Sequence, residues 1–500
     1  EALEHVPELR DYQKIYPEMF DIAMKLEGLE SSASIHAAGT LITNDPVIES
    51  MPMIRQDKEL QATSLELRAC ESVKGIKYDF LGLNTLDILI YCEQLTGVKF
   101  DMEFDPCNDP DIWELISSNK TTGLFQIGTD TYKKRMPRLA PKTIQELAAC
   151  LALVRGPCIS AGTDEVYMRI QEGLDEVHLI HPYYDDATKE TNGALIFQEQ
   201  LMQVCINMGM SIEDSFKTMK FAAKKKFDKL KEAKDKLYEN VKGTISDEAF
   251  ESIFKIIVDA GKYLFNQSHA VAYAMVGYAT AFYKCHYPKE FIASTLSYIY
   301  INGGDAKKRH DKLNEIFKDA RRLGIKFLPP DIRKSSWKFT IEGDCIRVGL
   351  CSIASFSEAA YNEIVEKCIP FDEDIDPLEQ IMDKVEKKKC GKRAMIPLIL
   401  SGALGDRCEC YNTFCTIRKE EPQSELFIHN KLSIDIYAED EEVEEALLEV
   451  PYTTYPANNL EPVGIDKKAN YKPFEIDAYI SRVKTHKTKA KEQMAFLTFD

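Results

Sequence analysis

A lysine and an aspartate two residues apart, in Lys77-Tyr78-Asp79, open a short apolar run that continues Phe80-Leu81-Gly82-Leu83. On a strand, residues two apart face the same side, so ammonium and carboxylate share one surface. A carboxylate flanked by apolar residues is costly unless it meets a cation or a donor. A divalent ion is one partner, since Mg²⁺ takes oxygens from one or two carboxylates plus phosphates, and such an Asp beside a Lys suits a triphosphate. A buried Asp–Lys pair is the plainer alternative. His36, among small residues in Ser34-Ile35-His36-Ala37-Ala38-Gly39, could reach a phosphate or that carboxylate, or be structural. Arg155 could grip phosphate through its two-pronged guanidinium. Lys220, Lys224, Lys225 and Lys226 belong to a lysine-rich segment that is either a phosphate-binding surface or a solvated helix face.

The elements that must hold these groups follow from periodicity. Residues 1–25 read as a helix, with Ile15, Phe20, Ile22 and Met24 apolar. Residues 38–43 and 76–81 read as short strands. Residues 105–300 read as mainly helical: Ser246 is an N-cap, Phe250, Ile253, Phe254 and Ile257 share one face, and Gly261 is a stop signal. Pro329-Pro330 breaks the pattern, strands are expected at 337–340 and 344–349, and helices return over 355–405. Residues 406–470 read as irregular and acidic, and a strand-like pattern starts at Phe474.

With 500 residues, 44% hydrophobic, the chain is globular and divides into about three to four domains. No apolar run reaches the length of a membrane span. Residue 1 is Glu and no leader precedes the first helix, so a soluble cytoplasmic protein without a membrane partner is expected. The 14 cysteines show no disulfide spacing; Cys390, Cys408, Cys410 and Cys415 could bind zinc but read better as free thiols. Net charge is −18, which argues against bulk attraction to nucleic acid, but lysine clusters at 217–236, 384–393 and 482–491 can form local basic surfaces.

The stretch Phe265-Asn266-Gln267-Ser268-His269-Ala270-Val271-Ala272-Tyr273-Ala274 sets polar heads among small residues on a helical pattern. It resembles a signature of the C-family replicative DNA polymerases, the bacterial DNA polymerase III alpha subunits. Blocks in the same order support the resemblance: Lys77–Leu83, Leu26-Glu27-Gly28-Leu29 with His36, Thr121-Thr122-Gly123-Leu124-Phe125-Gln126, Leu151–Pro157, Phe197-Gln198-Glu199-Gln200 and Gly209–Lys226. The Phe197–Gln200 block reads as mostly scaffold. The resemblance implies a mixed α/β, mostly α chain. Its parts are a thumb end (1–25), the C-terminal half of a nucleotidyltransferase-like (Pol β-like) palm (26–100) and large helical fingers (101–328). A DNA- and clamp-binding region with a helix-hairpin-helix (329–410), an acidic linker (411–470) and the start of an OB β-barrel (471–500) follow. It implies Mg²⁺-dependent DNA synthesis on primer-template DNA from deoxynucleoside triphosphates. Asp79 is then the catalytic metal ligand. His36, Lys77, Arg155, Lys220, Lys224, Lys225, Lys226, Asn266, Ser268, His269 and Tyr273 bind nucleotide or phosphate. Gln423, Leu426 and Phe427, in Gln423-Ser424-Glu425-Leu426-Phe427, resemble a sliding-clamp peptide.

The sequence departs from the family in several places. The Pro-Asp-x-Asp motif that carries the other two palm carboxylates has no counterpart; either a separate chain carrying the N-terminal palm half supplies it as a partner, or this stretch was trimmed from a longer polypeptide. Ser31 stands where a basic residue is usual, and Arg155-Gly156-Pro157 lacks one proline. A paired Arg falls on Met219 and Lys220, and Ser355 and Ser357 replace hairpin glycines. The alternative reading is a catalytically incomplete DNA- and clamp-binding fragment.

Overall fold

The computed structural model describes residues 3, 7–29, 35, 36, 38–55, 61–224, 226–261, 263–304, 306–353, 355–386, 390–418, 480–487 and 493–499. The chain is mixed α/β and mostly helical, in two compact units, Glu1–Leu83 and Asn84–Asp500. No described helix is long and apolar enough to cross a membrane.

In the first unit, the expected helix over 1–25 is two helices, α1 (Pro7–Ile15) and α2 (Pro17–Leu26). Proline disfavours helical backbone in the residue before it, and Tyr16 indeed leaves the helix with ψ 60°. Strands β1 (Gly39–Ile42) and β4 (Ile76–Asp79) pair antiparallel, as do β2 (Met53–Arg55) and β3 (Gln61–Thr63). Met51 and Cys70 are the buried apolar side chains among the described residues of this unit. Ile42, Ile76, Tyr78 and Phe80 are exposed.

The second unit is built on helices. In chain order the ones used below are α3 (Asn84–Thr96), α4 (Pro110–Ile116), α5 (Ile144–Leu153), α6 (Gln198–Asn207), α7 (Ile212–Ala223), α8 (Phe227–Val241), α9 (Asp247–Ala260), α10 (Gln267–His286), α11 (Pro288–Asn302) and α12 (Ala306–Arg322). Helix α10 offers Ala270, Ala274, Gly277, Ala279 and Ala281 to its neighbours, so the largely buried, mostly apolar α5 and the helices α4 and α11 pack closely on it. Helices α6–α9 share a second core around Leu201, Val204, Leu237, Phe250 and Ile257. Ser246 Oγ accepts from Ala249 N–H, as its N-cap role requires. Gly261 ends α9 for another reason than a left-handed turn. Its φ is −51°, and a Cβ there would stand 2.6 Å from the Ala222 carbonyl carbon. Close packing of α9 on α7 demands the glycine.

A third core joins α11 and α12 to a small sheet, in which β7 (Cys345–Arg347) lies between parallel β5 (Lys326–Leu328) and antiparallel β6 (Thr340–Glu342), and to the helices that follow. Residues 337–339 are not a strand: Phe339 is fully buried and its N–H donates to the Ser297 side chain instead of a ladder. Residues 407–418 form a helix where irregular chain was expected, because Cys410, Tyr411, Phe414 and Cys415 fall on one buried face. Strands β8 (Ile480–Lys487) and β9 (Gln493–Phe499) form an antiparallel hairpin.

Candidate active site

The pairing of β1 with β4 sets Gly39 opposite Asp79 and Leu41 opposite Lys77. Period-two alternation then separates two faces of β4: Lys77 and Asp79 on one, Ile76, Tyr78 and Phe80 on the other. The Lys77 ammonium lies 3.0 Å from Asp79 Oδ1 and 3.1 Å from Oδ2, so it spans both carboxylate oxygens. Gly39 permits this, since a Cβ there would come within 2.7 Å of Lys77 Cε. His36 Nδ1 accepts from Gly39 N–H at 2.7 Å and from Ala38 N–H at 3.2 Å. A neutral imidazole has one acceptor nitrogen, so the remaining proton sits on Nε2. The 3.8 Å approach of Nδ1 to Asp79 Oδ1 is therefore proximity and not a hydrogen bond. The Asp79 side chain keeps 41% exposure, which answers the sequence-level alternative: the pair is real but not buried. Among the described residues no group of three or more His, Cys, Asp or Glu could hold a metal. One carboxylate already spanned by a lysine does not by itself fit a two-ion site.

In the second unit the lysine-rich segment sorts into two sets. Lys217 pairs with Glu213, Lys229 with Glu232, Lys234 with Glu251, and Lys236 with Asp214 at 2.5 Å. Lys220, Lys224 and Lys226 are exposed at the α7–α8 junction, with no carboxylate partner among the described residues. The Lys220 ammonium sits 4.1 Å above the Phe216 ring. Met219, where a second cation was expected from the family pattern, is 6% exposed and packs in the core of α6–α9. Lys225 lies outside the described residues.

The signature at the start of α10 is a capping system. Asn266 Oδ1 accepts from His269 N–H and from the Ser268 hydroxyl, both at 2.8 Å, while its Nδ2 donates to Glu199 Oε1 at 2.8 Å. Glu199 Oε2 also accepts from Gln267 N–H at 2.9 Å. The electropositive helix start is thus closed by an internal carboxylate. Gln200 fastens the same block: Oε1 accepts from Ile196 and Phe197 N–H, and Nε2 donates to Thr191 Oγ1 at 2.7 Å. A cavity of about 270 Å³ beside Glu199 and Gln267 has Asp186, Glu190 and Glu199 against Lys189 in its lining, an unsuitable balance for a polyphosphate. Arg155 donates to the carbonyls of Ala152 at 2.9 Å and Tyr263 at 2.6 Å, and its guanidinium covers the Phe265 ring at 4.2 Å. Asn266 and Arg155 therefore position the helix start. His269, exposed, and Tyr273, half-buried, carry ring groups that can meet a ligand.

Sequence reading missed Glu199 as a cap and missed Lys284 altogether. The Lys284 ammonium is buried, 2.6 Å from Asp319 Oδ2, and donates to the carbonyls of Lys120 at 2.8 Å and Thr122 at 2.6 Å. At the hairpin, Ser357 caps the helix Glu358–Cys368, and Ser355 holds φ +61°, the left-handed backbone that glycine adopts at no cost. Cys390, Cys410 and Cys415 are buried free thiols. Gln423, Leu426 and Phe427 lie outside the described residues.

Comparison with known proteins agrees with this layout. Residues 1–82 match the family model of the bacterial DNA polymerase III alpha NTPase domain, 84–244 that of the alpha subunit finger domain, and 324–409 that of a helix-hairpin-helix motif. The chain belongs to the bacterial DNA polymerase III alpha, or C-family, polymerases. It is 32% identical to the DNA polymerase III subunit alpha of Aquifex aeolicus over 393 residues, 77% of this chain and 33% of that one. It is 32% identical to that of Thermus aquaticus over 430 residues (81% and 34%) and 27% identical to that of Bacillus subtilis over 520 (96% and 45%). The chain thus spans a third to a half of the length of these relatives.

Proposed function

We propose that this chain is part of an enzyme for template-directed DNA synthesis, adding deoxynucleotides to a primer 3′-hydroxyl with release of pyrophosphate. The observation that carries the reading is the partly exposed Lys77–Asp79 pair on one face of β1–β4, in a segment that matches a polymerase alpha NTPase domain. Asp79 is the catalytic carboxylate, and Mg²⁺ is the ion it would help to hold. The other carboxylates come from an N-terminal palm half outside these residues. Exposure of Ile42, Ile76, Tyr78 and Phe80 supports such a covering segment, because a bare two-stranded sheet is marginal in water. Lys77 has two anions to choose between, Asp79 and an incoming phosphate, and His36 stands beside both. Lys220, Lys224, Lys225 and Lys226 receive the triphosphate; Lys220, Lys224 and Lys226 have no carboxylate partner among the described residues, which sets them apart from the paired lysines of the same segment. Ser268, His269 and Tyr273 face the nucleotide, while Asn266 and Arg155 hold that helix end in place. Primer-template DNA lies along the region that includes the helix-hairpin-helix, and Gln423, Leu426 and Phe427 bind a sliding clamp. The domain partition implied by the resemblance goes with this reading, as does a cytoplasmic location.

Primer extension tests it. The chain alone leaves a primed template unextended with Mg²⁺ and nucleotides. Adding the N-terminal palm half restores synthesis, and Asp79→Asn abolishes it again. Robust synthesis by the chain alone, or by the complemented Asp79→Asn variant, refutes the assignment.

A further inference from the structure

Gln126 occupies a backbone state that its side chain does not explain. Its φ is +61°, and Ile127 N–H donates to the Phe125 carbonyl across it at 2.7 Å, which makes Gln126 the centre of a γ-turn with positive φ. Such turns are rare and strained, and strain of this kind persists only where surrounding structure enforces it. The surroundings here do. Thr121, fully buried, donates its hydroxyl to the Ile127 carbonyl at 2.9 Å. Phe125 N–H donates to Thr280 Oγ1 on α10 at 3.1 Å, and Lys284, one turn further along α10, holds the Lys120 and Thr122 carbonyls. The γ-turn is thus pinned to α10 and delivers Gln126 to solvent, its amide without a hydrogen-bond partner among the described residues.

What Gln126 adjoins gives the reason. Phe125 meets Tyr273 at 5.0 Å between ring centroids, Tyr273 meets His269 at 4.2 Å, and His269 meets Phe265 at 5.4 Å. With the Arg155 guanidinium over Phe265, this is a continuous strip of rings along one face of α10, closed by a cation at one end and by Gln126 at the other. Rings offer sequence-tolerant stacking to nucleobases and sugars. An amide beside them adds direction. A site that must accept all four bases can use only a feature they share, and that feature is the minor-groove acceptor, N3 of a purine or O2 of a pyrimidine.

We propose that Phe125, Tyr273 and Gln126 form the nucleoside end of the deoxynucleotide site, with the Gln126 amide N–H donating to the minor-groove acceptor of the incoming base. The inference rests on the proposed capture of the triphosphate by the fingers lysines. Gln126 is then a checkpoint on base geometry, since a mispaired base moves its minor-groove acceptor out of reach.

The test uses the chain complemented with the N-terminal palm half, on a primer-template whose primer ends in a dideoxynucleotide and whose next template base is cytosine, so that binding is read without chemistry. Binding of dGTP and of its 3-deaza analogue, which lacks the acceptor, is titrated for the natural chain and for Gln126→Gly. Glycine adopts the positive φ freely, so this substitution removes the amide while keeping the turn. One neutral hydrogen bond corresponds to roughly a three- to tenfold preference for dGTP in the natural chain. That preference should fall to near unity in Gln126→Gly, with unchanged circular dichroism. A preference that survives in Gln126→Gly, or a variant that changes DNA affinity alone, overturns the proposal. If Lys220→Ala with Lys224→Ala still weakens dGTP binding in that case, the triphosphate reading stands without it. A natural chain that binds neither nucleotide refutes both.

Discussion

Lys284 ties three parts of the second unit together, and its removal has a calculable cost. Its ammonium pairs with Asp319 on α12 and donates to the carbonyls of Lys120 and Thr122. Both charged side chains are 2% exposed, and Asp319 also pairs with Arg322. Lys284→Met leaves a buried carboxylate whose second partner is half outside, and breaking a buried pair costs about 3–5 kcal/mol. At about 2–4 °C per kcal/mol for a large domain, thermal unfolding should start at least ~6 °C lower. Lys284→Met with Asp319→Leu removes the stranded charge and should recover much of that loss. Recovery stays incomplete, because two part-buried carbonyls lose their donor, at less than about 1–3 kcal/mol each. Burial outweighs the attraction of Asp319 and pushes the Lys284 ammonium down from its ordinary range to about 8. A lysine depressed in the folded state binds its proton less well there than in the unfolded chain. Its contribution to stability therefore rises as pH climbs from about 8 towards 10.5. Asp319→Leu alone removes the compensating carboxylate, so that variant should be more stable at pH 9.5 than at pH 7. Denaturant midpoints at both pH values give the readout. A Lys284→Met chain as stable as the natural one, a double variant no better than the single, or an Asp319→Leu variant less stable at the higher pH refutes this account.

Three further outcomes are expected. In the complemented enzyme, replacing Lys220, Lys224 and Lys226 together with Ala should raise the KM for nucleotide by roughly ten- to a hundredfold; the same change at Lys229, Lys234 and Lys236, already paired with acids, should do much less, and equal effects in steady-state kinetics would sink the distinction. Ser355→Gly should raise stability by about 0.5–1 kcal/mol, since glycine relieves the left-handed strain at some cost in unfolded-state entropy; a lower urea midpoint would contradict the strain. Leu426→Ala with Phe427→Ala should remove clamp-dependent lengthening of products while single-nucleotide addition continues; unchanged clamp stimulation would show the peptide to be a coincidence of composition.

Local features were legible in the sequence, and long-range ones were not. Ser246, the apolar face of α9 and the strand alternation at Lys77 and Asp79 involve residues within a few positions of each other, so periodicity exposes them. Gly261 was read correctly as a boundary for the wrong reason, since the carbonyl it must clear belongs to Ala222 on another helix. The helix at 407–418 was hidden because its buried face, Cys410, Tyr411, Phe414 and Cys415, adjoins a strongly acidic stretch that dominates the local composition. At the site, the resemblance picked out Asn266 and Arg155 by type. Only the fold reveals that Asn266 bonds Glu199, 67 positions away, and that Arg155 bonds the Tyr263 carbonyl, 108 positions away. The lysine segment likewise reads as uniform until folding brings Asp214 to Lys236 and Glu251 to Lys234.

If the chain works as proposed, Glu199 bears on how pyrophosphate leaves. Pyrophosphate is a compact polyanion, and an open helix N-terminus is where such anions lodge. Because the Glu199 carboxylate already takes the Gln267 N–H, the start of α10 would, on the proposed function, meet a departing pyrophosphate with like charge. Anion recognition would then fall to lysines on flexible stems, which bind by charge and release readily. A neutral amide at position 199 would turn the helix start into a trap, and turnover would slow at the release step with the chemistry untouched.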